Sequence, residues 1–287
     1  MGKMSEAFEK SYSKQKGAEP TDQDSFLRRN REQDLSSKTL PAKFIGVKGF
    51  FENEKWDVRL KMSTDPHSPW FESFRRLRTP ILYPASGNKP KTILVTSVAP
   101  HEGKGFICAN LGVAIAQDME HHALMLDCDF RNPSLARLFG VHGETGLVDH
   151  LKNNIDLSML LRKTGQAKLS LLPCGKPPRN PSEILSSNRM KTLIKEVSER
   201  YEDRIILFDS PPNIVASETG ILAKALDGVI LVVRHGITKK ELVKKFVDSI
   251  GPEKLLGLVY NGYPQNTFES FIDKKMGYGY DYSSYYK

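Results

Sequence analysis

Lys104, Asp127, Asp129 and Asp209 are the side chains of this sequence whose types and spacing point to phosphate chemistry. Lys104 follows Gly103 in Thr96-Ser-Val-Ala-Pro-His-Glu-Gly-Lys104-Gly-Phe106, a stretch that leaves one apolar run and enters another. A strand, a tight turn, a Gly-Lys pair and then a helix make an anion cradle. The helix start offers free N–H groups and the positive end of its dipole, and Lys104 would reach the outer phosphates. The match to G-x-x-x-x-G-K-[ST] is incomplete: Val98 stands where the first glycine belongs, and Gly105 where the Mg²⁺-binding hydroxyl belongs.

Asp127 and Asp129 close the run Leu124-Met-Leu-Asp127-Cys-Asp129-Phe-Arg131-Asn-Pro133. Two residues apart on a strand, they fall on one side of it. Carboxylates so close repel each other and are normally matched by a cation. Asp209 ends Arg204-Ile-Ile-Leu-Phe-Asp209-Ser-Pro-Pro212, an apolar run closed by an aspartate. That is the pattern of a Walker B strand, whose carboxylate meets Mg²⁺ directly or through water. In this order along one chain, the three signals point to nucleotide binding.

The elements that must position these residues alternate. Strands are expected at 92–98, 123–127, 169–173, 204–209, 228–233 and 256–261, most of them continuous apolar runs suited to parallel strands covered on both faces. Helices are expected at 106–117, 133–139, 182–200, 217–225 and 239–250, with a short one at 70–79 bracketed by Pro66, Pro69 and Pro80. The pattern predicts an α/β fold: a doubly wound, mainly parallel sheet with helices on both faces, its ligand beyond the carboxyl ends of the strands. Residues 1–64 read as a polar, largely disordered extension, with Phe44–Phe51 its one apolar patch and a candidate edge strand. Residues 65–265 read as the folded domain and 266–287 as a flexible tail.

Composition narrows the classes. A hydrophobic share of 39% supports a real core, and no run approaches the roughly 18–20 apolar residues of a membrane span. With no signal-peptide pattern, the expectation is a cytoplasmic protein. Cys108, Cys128 and Cys174 lack paired spacing and read as small core residues. The net charge of +8 is scattered, without the dense basic stripe and interleaved aromatics that nucleic acid would demand. Nucleic acid is therefore not expected as a partner. The tail holds Tyr278, Tyr280, Tyr282, Tyr285 and Tyr286, five of the ten tyrosines. Exposed rings are sticky, so their hydroxyls are the better reason for their presence; a low-complexity end without chemistry is the alternative.

With these motifs the chain resembles the bacterial tyrosine kinases of capsule and exopolysaccharide synthesis, P-loop proteins, over roughly residue 65 to the C-terminus. The Ser97–Lys104 loop is similar to that family's phosphate loop. Asp127–Pro133 resembles its second Walker motif and Ile206–Pro212 its Walker B, and the tyrosine cluster resembles its autophosphorylation tail. Glu72-Ser-Phe-Arg75-Arg-Leu-Arg78 is similar to the Glu-x-x-Arg-x-x-Arg pattern with which the family builds rings. The resemblance implies ATP and Mg²⁺ as cofactors, with Pro100, His101, Glu102, Gly103, Lys104, Gly105, Phe106 and Asn261 on the nucleotide. Asp127 and Asp209 would lie on the metal, Asp129 behind them, and Asp127 would accept the tyrosine proton. It implies as partners a second copy in a ring, a membrane polysaccharide co-polymerase acting as activator in trans, and a tyrosine phosphatase. It also implies recruitment to the inner face of the membrane. His101 and Gly105 depart from the family pattern, which keeps two alternatives open: a nucleotide-binding scaffold with weak or no kinase activity, and a partitioning-type ATPase. Against the latter, Ala99 stands where a second lysine is usual.

Overall fold

The computed structural model describes residues 55–85, 87–201 and 203–263. In chain order the elements are α1 (Val58–Thr64), α2 (Pro69–Leu82), β1 (Thr92–Ser97), α3 (Lys104–Ala116), β2 (His122–Asp127), α4 (Leu135–Leu138), α5 (Leu147–Asn153), α6 (Leu157–Leu160) and β3 (Arg162–Lys163). There follow β4 (Leu169–Leu172), α7 (Pro181–Leu185), α8 (Asn188–Arg200), β5 (Arg204–Asp209), α9 (Glu218–Ala225), β6 (Gly228–Arg234), α10 (Lys240–Ile250) and β7 (Leu255–Asn261).

The seven strands form one sheet in the order β3-β4-β2-β5-β1-β6-β7, parallel throughout except where the two-residue β3 runs against β4. Successive residues of the apolar runs face opposite sides, so each strand feeds two cores. Leu94, Leu124, Leu126, Ile206, Phe208 and Leu231 join one with Leu193 and Val197 of α8 and Phe246 of α10. Ile93, Val95, Met125, Ile205, Leu207 and Val232 join the other with Leu60 of α1 and Ile107 and Leu111 of α3. α3 lies close against the sheet: a methyl at Gly112 would press into Met125 Sδ at 2.6 Å. The three cysteines are free and buried, as core residues.

This is the doubly wound parallel sheet that the alternation predicts, with four differences. The folded unit begins earlier than residue 65. Asp57 caps α1 by accepting the Arg59 amide at 2.9 Å, Leu60 is fully buried, and Trp56 donates to the Thr164 carbonyl at 2.6 Å and packs edge-on against Phe139. Two large apolar residues in a polar stretch were enough to dock it. The helix expected over 182–200 is broken in two. Ser187 Oγ accepts the Met190 amide at 3.2 Å and starts α8 afresh, a hydroxyl competing with helix continuation. Pro80 does not stop α2 at once: it falls in the last turn, and the helix runs only two residues beyond it. The short α5, α6 and β3 lack the length for a periodic signal. The Phe44–Phe51 patch and residues 264–287, including all five tail tyrosines, lie outside the described residues.

Candidate active site

The carboxyl ends of β1, β2 and β5 meet at the centre of the sheet. β5 pairs with β1 on one side and β2 on the other, and Asp209 stands opposite both Val95 and Asp127 in register. The apolar runs thus deliver Asp127 and Asp209 side by side, next to the loop that follows β1. That loop turns at His101 (φ 64°) and Gly103 (φ 92°) and enters α3 at Lys104. No side chain caps α3, so its first amides face outward as an anion cradle. Pro100 and His101 are exposed; Phe106 is partly buried and packs edge-on against Phe74 of α2.

Lys104 Nζ lies 2.6 Å from Asp129 Oδ2, a largely buried ion pair. Burial pulls Lys104 down, but Asp209, Asp129 and Asp127 together outweigh it and hold the ammonium above its usual range. Asp127 is pushed up to about 7, chiefly by burial and by the neighbouring Asp129; the Leu135 and Ser134 amides, each 3.0 Å from its Oδ2, and Lys104 work against this. Burial pushes Asp209 well above the carboxylate range, Asp127 and Asp129 add to this, and Lys104 and the Ser134 hydroxyl oppose it. Three buried carboxylates face one ammonium.

The buried oxygens without a hydrogen-bond partner among the described residues include Asp127 Oδ1, both oxygens of Asp209 and Ser134 Oγ. Buried polar atoms are rarely left this way, and oxygen atoms facing a charge deficit suit a hard divalent cation. No cluster of three or more His, Cys, Asp or Glu among the described residues forms a metal cage by itself. Mg²⁺ typically takes only one or two carboxylates, with phosphates and water completing the shell, and the donors present fit it.

The opposite flank of the loop is braced. Glu102 is buried and turned inward, its Oε2 accepting the Ala99 amide at 2.9 Å and its Oε1 the Thr238 hydroxyl. Asn261 Nδ2 donates to the Glu102 carbonyl at 2.9 Å, and Arg234 donates to the His101 carbonyl at 2.8 Å. Sequence reasoning places Glu102 and Asn261 on the nucleotide; here both side chains hold the loop's shape. Arg234 lies in a segment, Val233–Gly236, that resembles the family's but suggests no role for it, and Thr238 gives no signal; both come to the loop from beyond a distant strand. Arg131, read only as part of a motif, ties the β2 loop to α9 through the buried Glu218 at 3.2 Å. On α2, Glu72 pairs with Arg75 at 3.3 Å, both about half exposed, while Arg78 turns inward and donates to the Ala114 carbonyl at 2.6 Å. The Glu-x-x-Arg-x-x-Arg residues therefore do not act alike.

Fold and site together define a P-loop nucleotide-binding protein. No protein-family model matches the chain. Over 219 residues it is 32% identical to the tyrosine-protein kinase YwqD of Bacillus subtilis (strain 168), covering 76% of this chain and 88% of that protein. It is also similar to the crystal structure of the chimerical protein CapA2B2, at 31% identity and a TM-score of 0.65, covering 73% of this chain and 92% of that one. A ParA family ATPase from Chlorobium tepidum, at 17% identity and a TM-score of 0.51 over 66% of this chain and 81% of that one, shares the fold alone. The chain belongs to the bacterial tyrosine-protein kinases. Some of its longer relatives extend well beyond it: it spans 26% and 24% of two of them. Among the described residues no helix is long and apolar enough to cross a membrane.

Proposed function

We propose that this kinase transfers the γ-phosphoryl group of ATP to tyrosines of the Tyr278–Tyr286 cluster of a neighbouring copy, and that the cycle regulates capsule or exopolysaccharide synthesis or export. The observation that carries this reading is the set of unpartnered oxygens of Asp127 and Asp209 buried beside Lys104 and an open helix start. The first α3 amides hold the phosphates, and Lys104, already charged and desolvated, shifts from Asp129 toward the outer ones. Mg²⁺, held by Asp209 and Asp127, supplies neutralisation of charge on the phosphates. Asp127, oriented by the two amides on its Oδ2, is the carboxylate that takes the phenol proton, directly or through water.

Half-exposed Glu72 and Arg75 suit contact with a neighbouring copy in a ring-like assembly, and Arg78 stiffens the helix that presents them. Accumulated phosphate makes the tail strongly negative, and the assembly loosens. A membrane co-polymerase acts as activator in trans and brings the kinase to the inner face of the membrane; a tyrosine phosphatase resets the tail. Nucleic acid has no part in the cycle.

Incubation with Mg-ATP, with and without the activator, followed by mass spectrometry should show phosphotyrosine within 278–286 in the wild type and none in Lys104→Met. Absence from the wild type under both conditions refutes the kinase reading. Gly105 and the left-handed His101 favour a second reading, a scaffold that binds nucleotide with little transfer. Magnesium-dependent nucleotide binding without phosphotyrosine would select it.

A further inference from the structure

Gly105 occupies the position where a phosphate loop of this kind carries its Mg²⁺-binding hydroxyl, yet the structure does not leave that space vacant. A Cβ built on Gly105 would collide with Ser134 Oγ and sit 3.1 Å from Asp209 Oδ2. Gly105 has ordinary helical geometry and needs no left-handed backbone, so its small size matters for room alone. The room is filled by the hydroxyl of a residue from the other side of the site.

Ser134 is placed for this by the segment after β2. It stands at the N-terminal cap of α4, where a serine hydroxyl ordinarily accepts an amide of the first turn, but here makes no such bond. Asp127 Oδ2 takes over that capping, accepting the Ser134 and Leu135 amides. Ser134 Oγ is thereby released from its structural task. It is buried and turned to the Asp209 carboxyl, whose charged form it favours, and has no other hydrogen-bond partner among the described residues. One residue orients Asp127 through its amide and sets its hydroxyl against Asp209, the two flanking one space.

We infer that Ser134 Oγ is the alcohol ligand of the Mg²⁺–nucleotide complex, standing in for the hydroxyl absent at position 105. The inference rests on the proposed nucleotide site. It also explains why Gly105→Ser alone should not improve the site: the new side chain would compete with Ser134 for one volume. A Cβ at 105 lies 3.4 Å from Ser134 Cβ and 3.1 Å from Asp209 Oδ2, so once the Ser134 hydroxyl is gone the two positions can exchange roles with a small shift of the Asp209 side chain.

The test is calorimetry on the full chain, titrating ADP with excess Mg²⁺ and with EDTA, and Mg²⁺ into saturating ADP, with thermal unfolding as a control. Ser134→Ala should weaken Mg²⁺ uptake by the ADP complex about tenfold while leaving metal-free ADP binding within about twofold. Gly105→Ser alone should lower stability without tightening Mg²⁺. The double variant Gly105→Ser/Ser134→Ala should return Mg²⁺ affinity to within about threefold of the wild type. Unchanged Mg²⁺ affinity in Ser134→Ala, or no recovery in a folded double variant, overturns the inference and leaves the nucleotide site standing. A wild type with no magnesium-dependent ADP binding overturns both.

Discussion

The two flanks of the phosphate loop satisfy their polar groups differently. On the β6–β7 side the protein pairs its own groups: Glu102 with Ala99 and Thr238, Asn261 with the Glu102 carbonyl, Arg234 with the His101 carbonyl. On the β2–β5 side Asp127 Oδ1, both oxygens of Asp209 and Ser134 Oγ are buried without partners. The braced flank fixes the loop before any ligand arrives, so phosphate binding does not have to order it. The open flank holds desolvated carboxyl groups whose mutual repulsion a proton or a cation relieves. Stability and function should therefore oppose each other on the open flank and coincide on the braced one.

Asp209→Asn gives the largest separation. It removes a buried carboxyl whose desolvation outweighs its attraction to Lys104, so the metal-free protein should become on the order of 1–3 kcal/mol more stable in denaturant titration. Magnesium-dependent ADP binding should fall by more than about 100-fold in calorimetry. A variant that loses stability along with binding would mean that Asp209 is already paired within the protein, and the contrast between flanks would fail.

A pH series tests the same flank without that mutation. Asp127 is raised to about 7 and Asp209 is raised well above the carboxylate range. A carboxyl whose folded-state pKa lies above its unfolded value binds its proton more tightly when folded. The stability it contributes is complete at low pH and is lost as pH rises from about 4 to about 7, at roughly 1.4 kcal/mol per unit for each proton. Subtracting an Asp127→Asn series from the wild type, both metal-free, should isolate this falling slope. Adding Mg-ADP should stabilise the wild type most at the high end, where Asp127 begins to ionise. A flat difference between pH 4 and 7 would mean that Asp127 is not desolvated.

Much of this arrangement can be read from the chain. The apolar runs ending in Asp127 and Asp209, and the Gly-Lys before an apolar helix, announce a sheet edge carrying acids and a cradle, because strand period and helix dipoles are local properties. The bracing is not legible in the same way. Glu102 and Asn261 belong to motif positions, but that Glu102 faces inward depends on Thr238 and Ala99, and that Asn261 holds the loop depends on the Glu102 carbonyl. Ser134 is the clearest case: a serine after a proline signals a cap, and only the collision with a Cβ at Gly105 reveals another use. The early start of the fold at Trp56 escaped for the opposite reason, since two buried apolar residues outweigh a polar neighbourhood.

Glu102→Gln probes the braced flank. Its two oxygens accept from two donors, and an amide offers one acceptor, so one contact is lost at about 1–2 kcal/mol of stability. ADP binding in EDTA should weaken modestly, while Mg²⁺ uptake by the ADP complex should stay within about threefold of the wild type. A loss of Mg²⁺ affinity as large as that of Asp209→Asn would show the flanks to be one coupled unit.

The smallest effect comes from His101→Gly, and it asks whether the braced flank is shaped by backbone contacts alone. His101 holds φ at 64°, a region that costs an L-residue about 1–2 kcal/mol. Its side chain is exposed, so its removal sacrifices little packing. Glycine relieves the strain but loses about 0.5–1 kcal/mol through the freedom it gains in the unfolded chain. The balance should be a gain of at most about 1 kcal/mol in stability, with ADP affinity nearly unchanged, because the Arg234 contact is to the backbone carbonyl and survives. If instead His101→Gly lowers ADP affinity several-fold, the imidazole itself touches the ligand. The loop's strain would then serve to aim that ring at the nucleotide, and the flank would be part of the binding surface as well as its frame.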